Sequence, residues 1–242
     1  MTVEIRGKLY EGKAKIVYAT DSPKLIVQFF KDDATAFNAQ KRGTIAGKGV
    51  VNNRVSARLF ELLGRRGVPT HYVATLSERE MLCRRLDIIR IEVIVRNVIA
   101  GSLATRTGVE EGGPVVPPVV EFYYKSDELG DPMINDDHVR LLGLATPPEL
   151  RWIRRTALRV NGVLRPHLAR RRLRLVDFKL EFGRAGRRLV LGDEISPDTC
   201  RLWDARTRER LDKDRFRRDL GAVEEAYQEV YRRLVGAGGP GR

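Results

Sequence analysis

Residues 175–183 (LVDFKLEFG), followed a few positions later by residues 189–194 (LVLGDE), decide how this chain folds. In an extended strand alternate side chains share a face, so Asp177, Lys179 and Glu181 point one way and Val176, Phe178, Leu180 and Phe182 the other. One face is core and the other is a charged site. Gly183, Arg184, Ala185 and Gly186 supply turn chemistry, and the return run Leu189, Val190, Leu191 ends at Gly192, Asp193 and Glu194. The hairpin folds Asp193 back toward Asp177 and Glu181. Three carboxylates crowded beside one lysine repel unless a divalent cation or further bases hold them, and oxygen-only ligands of this kind suit Mg²⁺. The plain alternative is an edge hairpin with a solvated charged face. Against it, Phe178, Leu180 and Phe182 demand a buried partner, and the Gly-Asp-Glu ending resembles a placed ligand.

The chain has 242 residues, enough to bury a substantial core as one large domain or two small ones. With 42% hydrophobic and 32% charged residues it has a globular balance, and no apolar run approaches the ~20 residues of a membrane span. Residues 1–15 show no apolar stretch of a secretory signal, so a cytoplasmic location is expected. Cys83 and Cys200 stand far apart without metal spacing, which fits free thiols in a reducing compartment. The net charge is +13, and only ten of the 45 basic residues are lysine. That balance suits either a nucleic-acid binder or an enzyme for phosphorylated, anionic substrates. The densest basic run, Arg170, Arg171, Arg172 and Arg174, falls at an expected helix end, where cations complement the helix dipole. No RNA-recognition signature, zinc finger or recognition-helix motif accompanies it.

Residues 9–18 read as a strand pair or one bent strand, and Asp21, Ser22 and Pro23 turn the chain into a strand over residues 25–30. Residues 31–49, with several charges and Gly43, Gly47 and Gly49, predict a mobile loop over a site. Asn52 and Asn53 are candidate caps for a helix whose apolar positions are Val55, Leu59, Leu62 and Leu63. The run Ile88, Ile89, Ile91, Val93, Ile94, Val95 predicts a central strand passing between two lobes. Residues 112–118 predict a rigid loop. A helix is expected over about 147–172, with Leu150, Ile153, Ala157, Val160, Leu164 and Leu168 on one face and a kink near Pro166. A last helix is expected from near Asp212 through Leu234, with a disordered tail over 236–242.

Lys13 and Lys15 follow Gly12 and can meet a polyphosphate together, with backbone N–H groups adding donors. An ordinary hairpin with surface lysines is the alternative. Arg96 with Ser102, and Arg201 after Ser196, Pro197 and Asp198, can each grip a phosphate monoester, because guanidinium forks match phosphate geometry. Surface salt bridges are the alternative for each. The glycine and hydroxyl of Ala100, Gly101, Ser102 also invite an anion. His71, His138 and His167 lack paired ligand spacing and read as structural or surface residues. No nucleophile elbow is present. Lysines near a glycine turn, a carboxylate cluster and separate arginines together point to nucleotide chemistry on a second phosphorylated substrate.

At these residues the chain resembles the phosphoribosylaminoimidazole-succinocarboxamide synthase (SAICAR synthetase) family. The resemblance runs through LYEGKAK (9–15), KDDATAFN (31–38), GKGVVNN (47–53), EVIVRNVIAGS (92–102), LVDFKLEFG (175–183), LGDEISPD (191–198) and RLWD (201–204). Arg90, where the family usually has proline, and Ala39, where it usually has glycine, depart from the pattern. The resemblance implies an α+β, two-lobed fold related to kinase and ATP-grasp architectures. A small antiparallel β-rich ATP-binding lobe would span 1–88 and a larger α+β lobe 89–235. It implies ATP-dependent joining of carboxyaminoimidazole ribonucleotide to L-aspartate through an acyl phosphate, with ATP and Mg²⁺ as cofactors. By analogy Lys13, Ala14, Lys15 and Lys125 hold ATP, while Glu181 and Asp193 hold Mg²⁺. Arg96, Ser102, Arg201 and Asp131 bind the ribonucleotide, with Asp177 and Lys179 near its reacting groups. The expected partners are these small molecules, with neither nucleic acid nor membrane, and a homodimer is left open. A basic nucleic-acid-binding protein and a small-molecule kinase on the same lobes remain the alternatives.

Overall fold

In the computed structural model, which describes residues 3–36 and 40–236, the β-rich first third pairs as its alternation predicts. Strands β1 (Ile5–Glu11), β2 (Lys15–Thr20) and β3 (Leu25–Phe30) form a meander. A separate hairpin follows from β4 (Asp33–Ala36) and β5 (Lys41–Thr44), and then helix α1 (Lys48–Arg65). Strands β6 (Tyr72–Thr75) and β7 (Glu80–Arg84) complete an antiparallel sheet of order β1-β2-β3-β7-β6.

Residues 31–49 therefore do not form one mobile loop. They carry the β4–β5 hairpin and the start of α1, and Ala34, Ile45, Lys48 and Gly49 are buried. Gly49 packs so tightly that a β-carbon there would lie 2.3 Å from the Phe30 carbonyl oxygen. Ala39 lies outside the described residues. The helix begins at Lys48 behind Gly47, so Asn52 and Asn53 sit inside it rather than capping it. Asn53 instead donates from Nδ2 to the Ser77 and Glu78 carbonyls, fixing the β6–β7 turn to the helix.

The second sheet starts with β8 (Asp87–Val98), followed by α2 (Ser102–Thr107), β9 (Pro114–Tyr124), β10 (Met133–Ile134), α3 (Asp136–Leu141) and α4 (Pro147–Ala169). Then come β11 (Leu173–Ala185), β12 (Arg188–Gly192), β13 (Cys200–Asp204), α5 (Asp214–Arg217) and α6 (Val223–Leu234). The order is β10-β9-β8-β11-β12, with β13 also paired to β11. β8 is central to this sheet, held between β9 and β11, and does not pass between the sheets. Arg90 in β8 lies over the Tyr124 ring at 5.4 Å. Residues 114–118, expected as loop, belong to β9, where prolines are tolerated because β10 pairs only with its far end.

Helix α4 buries the six apolar residues its spacing picked out and is capped by reciprocal bonds between Thr146 and Glu149. The expected last helix is broken into α5 and α6 at Asp219, Gly221 and Ala222, whose positive φ values leave the helical region. One continuous apolar core joins both sheets with α1, α4 and α6. Of the expected tail, residues 237–242 lie outside the described residues.

The β11–β12 hairpin differs from its reading in two ways. Gly183, Arg184 and Ala185 remain paired in β11, and the turn is Gly186 and Arg187 alone. Gly183 serves close packing, since a β-carbon there would sit 2.8 Å from Leu86 Cβ. The register against β13 also slips between Leu175 and Asp177, a bulge that changes which residues share a face. Val176 accordingly packs with Val98, Ala100 and Trp203, apart from the main core that holds Phe178, Leu180 and Phe182. From Asp177 onward the division into a core face and a charged face holds.

Candidate active site

The charged face of β11 lines a cleft of about 1150 Å³ between the two sheets. Successive same-face residues on a strand are ~6.6 Å apart, so Asp177, Lys179 and Glu181 sample about 13 Å of this cleft.

At the Asp177 end the chemistry is guanidinium. Asp177 Oδ2 accepts from Arg96 Nη1 at 2.9 Å and from Arg201 Nη1 at 2.8 Å. Arg96 Nη2 donates to Ser102 Oγ at 2.8 Å and its Nε to Glu121 Oε2 at 2.9 Å. Arg201 Nε donates to Asp214 Oδ2 at 2.8 Å. Burial works against both charges, but the Asp177 and Glu121 carboxylates raise the Arg96 pKa, and Asp177 and Asp214 raise that of Arg201. Both therefore remain cationic, the state in which a guanidinium pairs with an anion. The Gly101 N–H is not open to an anion, because it donates to Glu111 Oε1 at 2.9 Å.

At the Glu181 end the cations are ammonium. Glu181 receives Lys125 at 2.6 Å and Lys179 at 2.9 Å, and Lys179 also donates to Glu92 at 2.8 Å. Pairing of Glu181 with Gly192 sets Asp193 beside it, as the hairpin reading expects. Lys15 bridges Asp193 and Glu194. Burial alone would raise the Asp193 pKa, yet Lys15, Lys179 and Lys125 hold its carboxyl well below the usual range. Burial also pushes Glu181 up, but Lys179 and then Lys125 keep it below its ordinary value despite Asp193. Lys15 and Lys179 are raised in return, the carboxylates outweighing burial.

The remaining expected residues line the same cleft with different partners. Lys13 reaches from the β1–β2 turn to Asp127 at 2.8 Å, so it and Lys15 do not share a partner. Ala14 lines the cleft, and its carbonyl accepts from the Lys31 backbone at 2.8 Å. Asp131 Oδ1 accepts from the Ser126 backbone at 2.9 Å, which bends the chain after β9.

Sequence reasoning missed Glu121, Arg106, Asp214, Glu92 and His71. Arg106 joins Arg96 on Glu121, and Tyr123 donates to the same carboxylate at 3.0 Å. Glu121 was findable: it alternates with Val119 and Tyr123 as Asp177 does with Lys179. His71, read as structural or surface, is buried at the edge of the cleft. Asp214 and His71 carry no periodic signal, since a four-residue helix and the segment just before β6 deliver them.

An α+β fold whose cleft gathers paired arginines at one end and carboxylates among lysines at the other has the charge pattern of an enzyme that uses a nucleotide on a second anionic substrate. The SAICAR synthetase family model matches residues 8–234. A phosphoribosylaminoimidazole-succinocarboxamide synthase of Chlorobium chlorochromatii is 60% identical over 230 residues, covering 95% of this chain and 98% of that one. One from Chlorobaculum tepidum is 58% identical over 227 residues, covering 94% and 97%. A SAICAR synthetase (Type-2) solved in complex with ADP superposes with a TM-score of 0.93 at 45% identity, covering 99% of this chain and 100% of that chain. The chain belongs to the SAICAR synthetase family. It is an ATP-dependent ligase that joins carboxyaminoimidazole ribonucleotide to L-aspartate in purine biosynthesis.

Proposed function

We propose that β11 divides the labour of this ligation along its length. Lys13, Ala14, Lys15 and Lys125 hold the ATP phosphates; Arg96, Ser102 and Arg201 grip the ribonucleotide phosphate, with Asp131 at the rim. Asp177 and Lys179 serve the acceptor between them. The observation that carries this reading is the spacing on one face: Asp177 lies between two guanidinium groups, and Glu181 lies among ammonium groups two pleats away.

Transfer between an ATP phosphoryl group and a carboxylate brings two anions together, so catalysis depends on positioning and charge neutralisation. In the proposed sequence the substrate carboxylate oxygen attacks the γ-phosphorus and ADP leaves. The aspartate amine then attacks the acyl carbon, phosphate leaves with the bonding pair, and the nitrogen gives up a proton. Lys179 lies on the strand between Asp177 and Glu181 and bridges Glu92 and Glu181, which supports its assignment.

Magnesium is part of the proposal, and the donor set fits it. Glu181 and Asp193 offer carboxylate oxygens kept ionised by their lysines. Mg²⁺ commonly takes one or two protein carboxylates and completes its shell with water and phosphate oxygens. Among the described residues no group of three or more acidic, histidine or cysteine side chains could hold a metal ion, and the proposal is of a cation shared with the nucleotide. Bound there, it would neutralise charge on the phosphates.

The proposed lobe boundary between residues 88 and 89 is supported by the passage from first to second sheet just before β8. A cytoplasmic location is supported by two buried free thiols; among the described residues no helix is long and apolar enough to cross a membrane. The division of roles is tested with Asp193→Asn and Arg201→Ala. The first is expected to abolish Mg-ATP turnover and the second to raise mainly the KM for ribonucleotide. Equal effects of each variant on both substrates would refute the division.

A further inference from the structure

Between β8 and β9 the chain leaves the sheet, carries α2 and returns. Two backbone bonds close the base of this excursion: Gly112 N donates to the Ile99 carbonyl and Ile99 N to the Gly113 carbonyl, each at 2.8 Å. Gly101 is the point at which the excursion meets the site, because the Arg201 guanidinium packs against its backbone. What fixes Gly101 comes from the returning limb. Its N–H donates to Glu111 Oε1 at 2.9 Å, while Glu111 itself stays outside the cleft lining that Arg96, Ser102 and Arg201 form.

The other partners of Glu111 come from far along the chain. Arg218 donates to both carboxylate oxygens, from Nη2 to Oε1 at 2.7 Å and from Nη1 to Oε2 at 3.4 Å, and Arg210 Nη2 donates to Oε2 at 2.8 Å. Arg218 ends α5, its N–H bonded to the Asp214 carbonyl at 2.9 Å, and Asp214 is the carboxylate that receives Arg201 Nε. Arg210 lies over the Trp203 ring at 5.7 Å, and Trp203 packs with Val98, Ala100 and Val176 at the foot of the excursion. One carboxylate thus joins both supports of Arg201: the Gly101 backbone it lies against and the helix that supplies Asp214. A lone exposed ion pair contributes little, but a forked arginine with a second arginine on the same carboxylate is a network with defined geometry. Burial pushes the Glu111 pKa up, yet Arg218, the Gly101 N–H and Arg210 hold it below its ordinary value, so it is ionised at neutral pH.

We propose that Glu111 is a positioning residue for ribonucleotide binding: tied to the Gly101 N–H on one side and to Arg210 and Arg218 on the other, it keeps Arg201 seated between Gly101 and Asp214. This rests on the reading of Arg201 given above. Glu111 touches no reacting atom and acts through Arg201. The same contact has a competing use, in which a substrate phosphate displaces the carboxylate from the Gly101 amide. Two arginines holding that carboxylate in place argue against it, and the two uses predict opposite changes in affinity when the carboxylate is removed.

Initial-rate kinetics of the full-length protein test it. Glu111→Ala is expected to raise the ribonucleotide KM by about 10-fold or more, the scale of one hydrogen bond to a charged group, with kcat and the Mg-ATP KM within about 3-fold. Glu111→Gln keeps an acceptor for the Gly101 N–H but loses the charge that gathers the arginines, and its KM should fall between those of Glu111→Ala and the parent. In an Arg201→Ala background Glu111→Ala should add less than about 3-fold, because residues that act through one another are not additive. A full further increase there, a loss confined to kcat, a KM change shared with Mg-ATP, or a lower ribonucleotide KM in Glu111→Ala overturns the positioning role. Amide hydrogen exchange at Gly101, followed by NMR without substrates, reads the contact itself and should be about 10-fold faster or more in Glu111→Ala; unchanged exchange also overturns the proposal. Arg201→Ala alone reports on the reading beneath it: an unchanged ribonucleotide KM there would sink the role of Arg201, while faster exchange at Gly101 in Glu111→Ala would leave the Glu111 contact standing.

Discussion

Gly101 and Arg201 approach so closely that a β-carbon at residue 101 would stand 2.5 Å from Arg201 Nη2 and 2.7 Å from its Cζ. The guanidinium that ties Asp177 to Asp214 therefore lies flat against a backbone with no side chain, and the φ of 52 at Gly101 adds a second reason for glycine.

Gly101→Ala is accordingly expected to displace Arg201 rather than unfold the protein. The ribonucleotide KM should rise 10-fold or more, with the Mg-ATP KM within about 3-fold, in initial-rate assays varying each substrate. A change confined to Mg-ATP would contradict the placing of the ribonucleotide phosphate beside α2.

How much of this was legible depended on whether a signal was periodic. The charged face of β11, the apolar stripe of α4 and the hairpins of the first sheet all follow from local alternation or helical spacing, and the structure has them. Lys48 shows the limit. In sequence it is one more charge among glycines, and burial of its side chain depends on Asp198, far along the chain and delivered by the loop before β13. The Leu175–Asp177 bulge is similar: a change of register is set by the partner strand, so Val176 could not be assigned to its own small cluster from its neighbours.

Lys48 also predicts stability. Its Nζ is 3.0 Å from Asp198 Oδ2, both side chains are buried, and Tyr227 donates to the other oxygen at 2.7 Å. Removing one partner of a buried pair costs about 3–5 kcal/mol where it strands the other charge; Asp198 keeps Lys213 at 3.5 Å from the same oxygen, which brings the cost to the low end, about 3 kcal/mol. Lys48→Met is expected to lose that much in urea unfolding, and Tyr227→Phe about 1.5–3 kcal/mol as one bond to a charged group is lost. A loss below about 1 kcal/mol for Lys48→Met would return this segment to the mobile-loop reading.

Asp212 gives a pH dependence of definite sign. It is fully buried and accepts from the Leu202 and Asp214 backbones; burial first and the Asp214 charge second push its pKa up to about 7. Unfolded, it titrates near 3.9, so between about pH 4 and 7 the folded chain binds the extra proton. The stability this contributes is fully present below about pH 4 and lost as pH rises through about 7. His71 has the opposite sign, since burial lowers its pKa to about 4: its contribution is present above about 6.5 and lost as pH falls through about 4. Comparing Asp212→Asn with the parent isolates the first effect. From pH 5 to 8 the parent should lose stability relative to the variant, by about 2.7 kcal/mol, the two units up to pH 7 at ~1.36 kcal/mol each. Parallel urea-derived curves would rule it out.

Lys179 tests where neutralisation matters most. Its Nζ bridges Glu92 and Glu181, and the carboxylates raise its pKa well above the ordinary value against the opposition of burial, so it carries its charge throughout the working range. A group that merely bound one substrate would, on removal, raise that KM and leave kcat alone. A cation placed between phosphoryl donor and carboxylate acceptor is needed most where the two anions share a phosphorus, so its loss should fall on kcat. Lys179→Met is expected to lower kcat by about 10²–10³-fold, the range for one preorganised electrostatic contact, with each KM within about 3-fold. Lys179→Arg keeps the charge but changes its reach, and should recover part of that loss. Because Glu92 and Glu181 would then face each other with only Lys125 to compensate, Lys179→Met should also be less stable at pH 8 than at pH 5, as the stranded carboxylates take up protons. Unfolding curves at the two pH values, read beside the kinetics, separate the two effects: a kcat that recovered fully on lowering the pH to 5 would reduce Lys179 to a structural counter-ion.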